Sequence, residues 1–137
     1  MKITKYHPGL TRAENGDYIL TGDLISDEGI DIELDDRLVV TGIINTRCGI
    51  KAGYGIKAGY GIKAEWSIKA GDGIEAGDGI KAGWGIEAGT YIDCGKRIFA
   101  GTFVCDSDDD CDKTIKCAEL RNGTVAYGDL VITKRQS

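Results

Sequence analysis

The chain has very little histidine and very little proline. It contains one histidine and one proline in 137 residues, beside 21 glycines. A single proline among so many glycines argues against a disordered Pro/Gly tract. The one histidine, His7, stands in the N-terminal lead, so the body of the chain has no imidazole for general acid–base chemistry.

Other absences narrow the function and the location. No segment has the roughly 20 apolar residues that a membrane span needs, and residues 1–7 contain no apolar signal region. Five cysteines, an odd number, then predict reduced thiols in the cytoplasm. The chain has no phosphate-binding loop, nucleophile elbow, zinc-helix motif or Rossmann fingerprint. We expect a cytoplasmic protein that is not an enzyme, needs no cofactor and does not contact a membrane.

What the sequence does have is a strict repeat of six residues. The run over residues 49–58 reads GIKAGYGIKA, and an aliphatic residue returns at every sixth position from Ile50 to Val104. The same phase reaches back to Ile32, which makes thirteen positions. One short strand and one corner per repeat is the pattern of a β-solenoid, so we predict an all-β, single-stranded β-helix. The isoleucine and alanine of each repeat point inward, and the residue between them points outward.

Charge and ring stacking indicate the number of repeats per coil. With about 18 residues per coil, Trp66 stacks on Trp84 and Lys57 lies beside Glu75. With about 12 residues per coil, three lysines would stack as like charges, which is unfavourable. We therefore predict a triangular solenoid with about 18 residues per coil. The first repeats lack the paired glycines and have larger residues in the alanine position, which indicates a wider or less regular first coil.

We divide the chain into three parts within one domain. Residues 1–31 form an N-terminal cap and acidic lead-in, residues 32–104 form the solenoid repeats, and residues 105–137 form an acidic loop and a C-terminal β-hairpin cap. The hairpin prediction rests on Asn122-Gly123, a pair typical of type I′ turns, between two alternating segments. A cap is expected because the open end of a solenoid is a strand edge that recruits other chains.

The repeat resembles two groups of proteins to different extents. It is similar to the left-handed hexapeptide β-helix of acyltransferases in period only, because its corner positions hold residues such as Tyr54 and Trp66 instead of small ones. The Gly-Ile-x-Ala-Gly unit, with the ending GTVAYG over residues 123–128, resembles small hexapeptide-repeat solenoid proteins of bacteria and their phages, which are largely uncharacterised. This resemblance covers most of the chain and implies mobile-element biology, with no catalytic residue to transfer.

The cysteines and aspartates near the C-terminus suggest a metal site but do not fit one. Cys105, Cys111 and Cys117 are six residues apart, whereas zinc ligands are usually spaced by two to four. The run DSDDD over residues 106–110 resembles a calcium loop, but the glycine and the glutamate that such a loop needs are replaced by cysteines. We expect no bound metal, an exposed acidic loop, and cysteines that fill small inward positions, as Cys94 does in an alanine position.

Two sets of residues are candidates for contact with a partner. The net charge is −5, and acidic residues cluster at both ends of the repeat. Such clusters repel nucleic acid and attract basic surfaces, or simply keep the protein soluble. Exposed corner aromatics either anchor a partner or pack along one edge. The candidate partner-binding residues are Asp27, Glu28, Asp31, Glu33, Asp35, Asp36, Tyr54, Tyr60, Trp66, Trp84, Asp106, Asp108, Asp109 and Asp110.

These features leave two classes of function. In the first, the protein is a rigid, non-catalytic, acidic rod that binds a protein partner. A phage or mobile-element inhibitor of a host nucleic-acid-handling complex, of the anti-restriction or anti-CRISPR type, would have these properties. In the second, it is a structural module that forms homo-oligomers or belongs to a phage tail. An ice-binding solenoid fits less well, because the regular faces carry Lys and Glu and not threonine arrays.

Overall fold

Short strands separated by tight corners make up almost the whole fold. A computed structural model describes residues 2–101 and 114–133. Within these two ranges there is no helix of the length and apolarity that a membrane span requires. The strands are β1 (Lys2–Thr4), β2 (Leu10–Arg12), β3 (Tyr18–Leu20), β4 (Leu24–Ser26), β5 (Ile30–Glu33), β6 (Leu38–Val40), β7 (Ile44–Thr46), β8 (Ile50–Ala52), β9 (Ile56–Ala58), β10 (Ile62–Ala64), β11 (Ile68–Ala70), β12 (Ile74–Ala76), β13 (Ile80–Ala82), β14 (Ile86–Ala88), β15 (Tyr91–Phe99), β16 (Thr114–Cys117), β17 (Glu119–Tyr127) and β18 (Asp129–Ile132).

The strands stack in parallel on the three sides of a triangular rod. The first face is the sheet β1-β5-β8-β11-β14-β16-β18. The second face contains β3, β6, β9 and β12, and the third contains β4, β7, β10 and β13. Strands β15 and β17 are long enough to run along both of these faces and join them into one sheet. The prediction of a β-solenoid with about 18 residues per coil is confirmed, with about 6 coils in the rod.

The alignment of successive coils follows the 18-residue register. Ile68 pairs with Ile50 on one side and with Ile86 on the other. The expected charge pair also forms, because Lys57 Nζ lies 3.7 Å from Glu75 Oε2. Like residues on successive coils therefore form columns along the rod.

Columns of isoleucine form the centre of the rod. In β8 to β14 the isoleucine and alanine of each strand are buried, and the residue between them faces solvent or is half-buried. A fully buried isoleucine side chain contributes roughly 1.5–3 kcal/mol relative to an exposed one. The alanine column leaves room for each coil to close around the isoleucines, so three-residue strands suffice to bury a continuous core.

The first full coil contains twenty residues instead of eighteen. The six-residue phase that was predicted for this coil therefore does not hold within it. Ile50 pairs with Ile30, twenty residues earlier in sequence, and Ile32 pairs with Ala52. The two additional residues lie in the corner between β5 and β6, after the buried side chain of Leu34. Ile32 is therefore inward but lies in the alanine column, so the phase expected to reach it is wrong there. The wider first coil was predicted correctly.

The parallel stack also begins earlier than the boundary expected at residue 32. Tyr18 pairs with Leu38, and Leu24 pairs with Ile44, so β3 and β4 already belong to the second and third faces. Strand β2 runs antiparallel to β3 through a turn at Gly16, whose φ is +97°. The first residues thus form coils of the solenoid, with one antiparallel hairpin against their edge.

The predicted C-terminal hairpin is wrong. Residues 119–127 form the single strand β17, which pairs in parallel with β15 and places Leu120 beside Ile92 and Val125 beside Ile98. Gly123 has a φ of +113° and makes the corner of this last coil instead of a type I′ turn. The apolar residues on either side of the corner extend the core columns, whereas a hairpin would have left the edge of β15 uncovered.

The close stacking of corners leads to a testable difference between two equivalent glycines. A Cβ atom on Gly71 would overlap the backbone carbonyl of Gly53 in the coil before, whereas one on Gly53 meets no atom within 4 Å. We expect Gly71→Ala to lower the free energy of unfolding by about 1–3 kcal/mol through overpacking. Gly53→Ala should leave it unchanged or raise it by up to about 1 kcal/mol. Urea denaturation of both variants measures this, and equal effects would contradict the stacking.

Candidate functional site

The four aromatic residues of the repeat corners do not share an edge. The corner from the first face to the second carries Tyr54, and the corner from the second to the third carries Tyr60. Only Trp66 and Trp84 lie at the same corner, between the third and first faces, where their indole centroids are 6.1 Å apart with an interplanar angle of 17°. The predicted stacking of these two tryptophans is confirmed.

The tryptophan pair is well exposed for residues of its size. Trp66 is 53% exposed and Trp84 is 39% exposed. Their backbones are held firmly, since the Trp84 amide donates to the Trp66 carbonyl at 3.1 Å and the Trp66 amide donates to the Cys48 carbonyl at 3.2 Å. A rigid backbone with two exposed stacked rings is typical of an anchor for a partner.

A groove on the first face runs beside the ring of Trp66. Its volume is about 640 Å³, and it is lined by Trp66 together with Cys48, Asp31, Lys2, Lys51 and Lys69. Its charges are mixed: Lys2 Nζ lies 3.5 Å from Glu33 Oε1, and Lys69 Nζ lies 4.0 Å from Glu87 Oε2. We call Trp66, Trp84 and this groove the tryptophan corner.

The predicted acidic residues near the N-terminus lie on one face of the first coil and at the two corners that flank this face. Asp27 and Glu28 lie at the corner that precedes the first face, Asp31 and Glu33 lie in β5 on that face, and Asp35 and Asp36 lie at the corner that follows it. They therefore spread along one side of the rod and both of its edges.

Several of these carboxylates already have partners within the chain. Asp27 Oδ1 is 3.6 Å from Arg47 Nε, and the Glu33 carboxylate pairs with Lys2. The Tyr18 hydroxyl donates to Asp35 Oδ1 at 2.5 Å, which lowers the pKa of Asp35 and raises that of Tyr18. The acidic surface is thus weaker than its sequence suggests, although Asp31 and Asp36 remain half-exposed. Asp106, Asp108, Asp109 and Asp110 lie outside the described residues.

A polar cluster on the second face was not predicted from the sequence. Arg37 donates from Nη2 to Asp17 Oδ2 at 2.6 Å and from Nη1 to Glu75 Oε2 at 3.1 Å. The Tyr91 hydroxyl donates to Glu75 Oε1 at 2.8 Å. The hydrogen bond to Asp17 raises the pKa of Arg37, and burial followed by the bond to Glu75 raises the pKa of Tyr91. These contacts join coils that are far apart in sequence, so we assign the cluster to stability.

The sequence carried only a faint signal for this cluster. Asp17 precedes Arg37 by twenty residues, which is the length of the wider first coil. That spacing predicts a contact between Asp17 and Arg37 only if the coil is known to contain two extra residues. Glu75, in contrast, could be placed from its predicted pairing with Lys57.

The described residues offer no arrangement of side chains for metal binding. In residues 2–101 and 114–133, no group of three or more His, Cys, Asp and Glu side chains is placed to hold a metal ion. Cys94 and Cys117 are buried in the alanine column, and burial raises the pKa of both thiols, so the reactive thiolate is disfavoured. Their placement confirms that these two cysteines fill small inward positions. Cys105 and Cys111 lie outside the described residues.

Comparisons with known proteins find no relative: no family model, no curated protein and no solved structure matches this chain.

The polar cluster on the second face predicts unequal costs for two arginine substitutions. Arg37→Gln would leave the buried carboxylate of Asp17 without its cation and the half-buried carboxylate of Glu75 with Lys57 alone, so we expect a loss of about 1–2 kcal/mol in the free energy of unfolding. Arg47→Gln removes an ion pair whose side chains are 74% and 85% exposed, so it should cost less than about 0.5 kcal/mol. Denaturant unfolding of both variants at neutral pH tests the difference, and equal losses would contradict a stabilising role for Arg37.

Proposed function

We propose that the protein is a non-catalytic binding module that captures a protein partner through the tryptophan corner. The observation that carries this proposal is the exposed, stacked pair Trp66 and Trp84 beside a groove of about 640 Å³. Tryptophan is among the residues most enriched at the energetic centres of protein interfaces. A groove next to the rings offers an adjoining surface to a partner's side chains.

The solenoid holds this surface ready for binding. The backbones of the corner are hydrogen-bonded to both neighbouring coils, and the strands on either side of it have buried isoleucines. Binding would therefore cost little conformational entropy, because the backbone of this surface is fixed before the partner makes contact. The large rings supply contact area with few rotatable bonds.

A narrower form of the proposal makes the protein a phage or mobile-element inhibitor of a host nucleic-acid-handling complex. The net charge of −5 and the acidic residues around the first coil support a partner that has a basic surface. The pairs Asp27–Arg47 and Glu33–Lys2 reduce that charge locally. In this form the tryptophan corner supplies affinity, and the remaining acidic surface guides the approach.

Capture from bacterial lysates with matched aromatic variants tests the tryptophan corner. We expect Trp66→Ala/Trp84→Ala to weaken binding of the captured protein about 30-fold or more, as loss of an interface anchor does. Tyr54→Ala is the control, because this ring is 49% exposed at a different corner. Equal retention by wild type and the double variant would contradict the proposal. Recovery of nucleases, polymerases or CRISPR components in the wild-type eluate supports the narrower form, and their absence argues against it.

The last coil favours a second candidate function, self-assembly. Leu130 pairs with Ile115 and Ile132 pairs with Cys117, so both lie in the inward columns. They are nevertheless 40% and 49% exposed, because within the described residues β18 is the end strand of its sheet. An apolar strand edge is a template for pairing with another chain. Two copies that meet through β18 would therefore each cover the exposed end of the other copy's core.

Light scattering coupled to size exclusion tests self-assembly. If it occurs, wild type has twice the mass of the chain or more, and Leu130→Lys/Ile132→Lys restores the monomer mass by placing charge in the contact. Ile25→Lys is the control, because this residue is 59% exposed on the third face. A monomeric wild type at 100 µM, a concentration in the μM–mM range where exposed strand edges associate, would reject this candidate and leave the tryptophan corner unaffected.

A further inference from the structure

The third face differs from the other two in the charges that it presents. Its outward row runs Asn45, Lys63, Lys81 and Phe99 on successive coils. On the first face Lys51 lies beside Asp31, and on the second face Lys57 lies beside Glu75. Within residues 2–101 and 114–133, the outward row of the third face contains no carboxylate. We propose that this surface, the lysine face, binds an acidic segment of a protein partner.

The two lysines are placed against each other, and no neutralising group lies between them among the described residues. Lys63 and Lys81 are directly opposed across neighbouring parallel strands, an arrangement of like charges that is unfavourable. Both side chains are exposed, and no carboxylate of the described residues lies within ion-pair distance of either one. A carboxylate bound between the two ammonium groups would relieve their repulsion. The repulsion therefore makes this place on the rod receptive to an anion.

Apolar surface adjoins the lysines. A groove of about 260 Å³ is lined by the half-buried side chains of Ile43, Asn45 and Phe99 and by the two lysines. Phe99 also lines a second groove, of about 630 Å³, that contains the exposed Arg97. The lysine face thus offers an apolar depression with cations around it. A peptide that alternates carboxylates with apolar side chains matches both properties.

The number of cations favours an acidic protein segment over a nucleic acid. The surface holds three cations with no ion pair to a described carboxylate, namely Lys63, Lys81 and Arg97, since Lys96 is paired with Asp78 at 3.3 Å. A protein that makes about 6–10 phosphate contacts with DNA uses roughly two to three times as many cations. The net charge of −5 also opposes the approach of a long polyanion. The three cations of this face can neutralise two or three carboxylates.

The inference is independent of the tryptophan corner. The groove beside Trp66 belongs to the first face, and its lining residues differ from those of the lysine face. The two surfaces meet only at the edge where the tryptophans stack. One partner could contact both, or each could serve a separate partner, and the two proposals are tested with different variants.

Binding of a defined peptide to the full chain tests the lysine face. The probe is a fluorescein-labelled octapeptide of alternating Glu and Leu, followed by anisotropy at low and at physiological salt. We expect saturable binding that weakens as salt rises, and a loss of at least tenfold in affinity for Lys63→Gln/Lys81→Gln. The matched control is Lys57→Gln/Lys116→Gln, which removes two lysines from the second and first faces. Its affinity should remain within twofold of wild type.

Several outcomes would overturn the inference. Equal losses in the two double variants would show attraction to overall charge and not to this face. Tighter binding of single-stranded oligo-dT of eight nucleotides than of the peptide would identify a nucleic-acid surface. Absence of peptide binding at low salt would remove the proposal outright. Thermal melting checks folding, and Lys63→Gln/Lys81→Gln should melt no lower than wild type because it removes a like-charge contact.

Discussion

The whole structure depends on a continuous column of buried isoleucines at the centre of the rod. Each regular coil in the middle of the rod contributes one isoleucine per face, and backbone hydrogen bonds between coils hold these side chains in line. Strands of three residues are too short to be stable alone, so each exists only because its neighbours cover its edges. Stability is therefore a property of adjacent coils, and the outward positions contribute to it only where they pair, as Lys57 and Glu75 do.

The inward and outward positions have different roles. The inward residues stabilise the fold, and the outward and corner residues are available to contact a partner. The inward positions repeat almost without change, whereas the outward and corner positions differ from coil to coil. On the first and second faces the lysines have carboxylate neighbours, as Lys69 has Glu87 and Lys57 has Glu75. On the third face Lys63 and Lys81 lie together without one among the described residues. The corners behave in the same way, since only one of the three carries two stacked tryptophans. The functional proposals rest on these departures from uniformity.

The regular middle of the fold could be predicted from the sequence, and its ends could not. The period gave the inward columns and the contact between Trp66 and Trp84, because one register controls them all. The two added residues in the corner after Leu34 carry no local signal, so Ile32 was assigned to the wrong column. Asn122-Gly123 has the composition of a hairpin turn, but the edge of β15 was a better partner for β17. For the proposed binding surfaces, the residue types could be predicted from the sequence, but which of them share a face could not.

The wider first coil has a consequence for how the chain finds a unique alignment. A shift of one six-residue repeat would bring the next strand onto each face with the same isoleucine and alanine, so the middle of the chain is nearly degenerate. The corner after Leu34 breaks this equivalence, because Ile30 and Ile50 meet only when twenty residues separate them. A shifted chain would place that larger corner opposite a coil of ordinary length and lose contacts on both sides. The irregular coil thus sets the register in which the nearly identical repeats pair with one another.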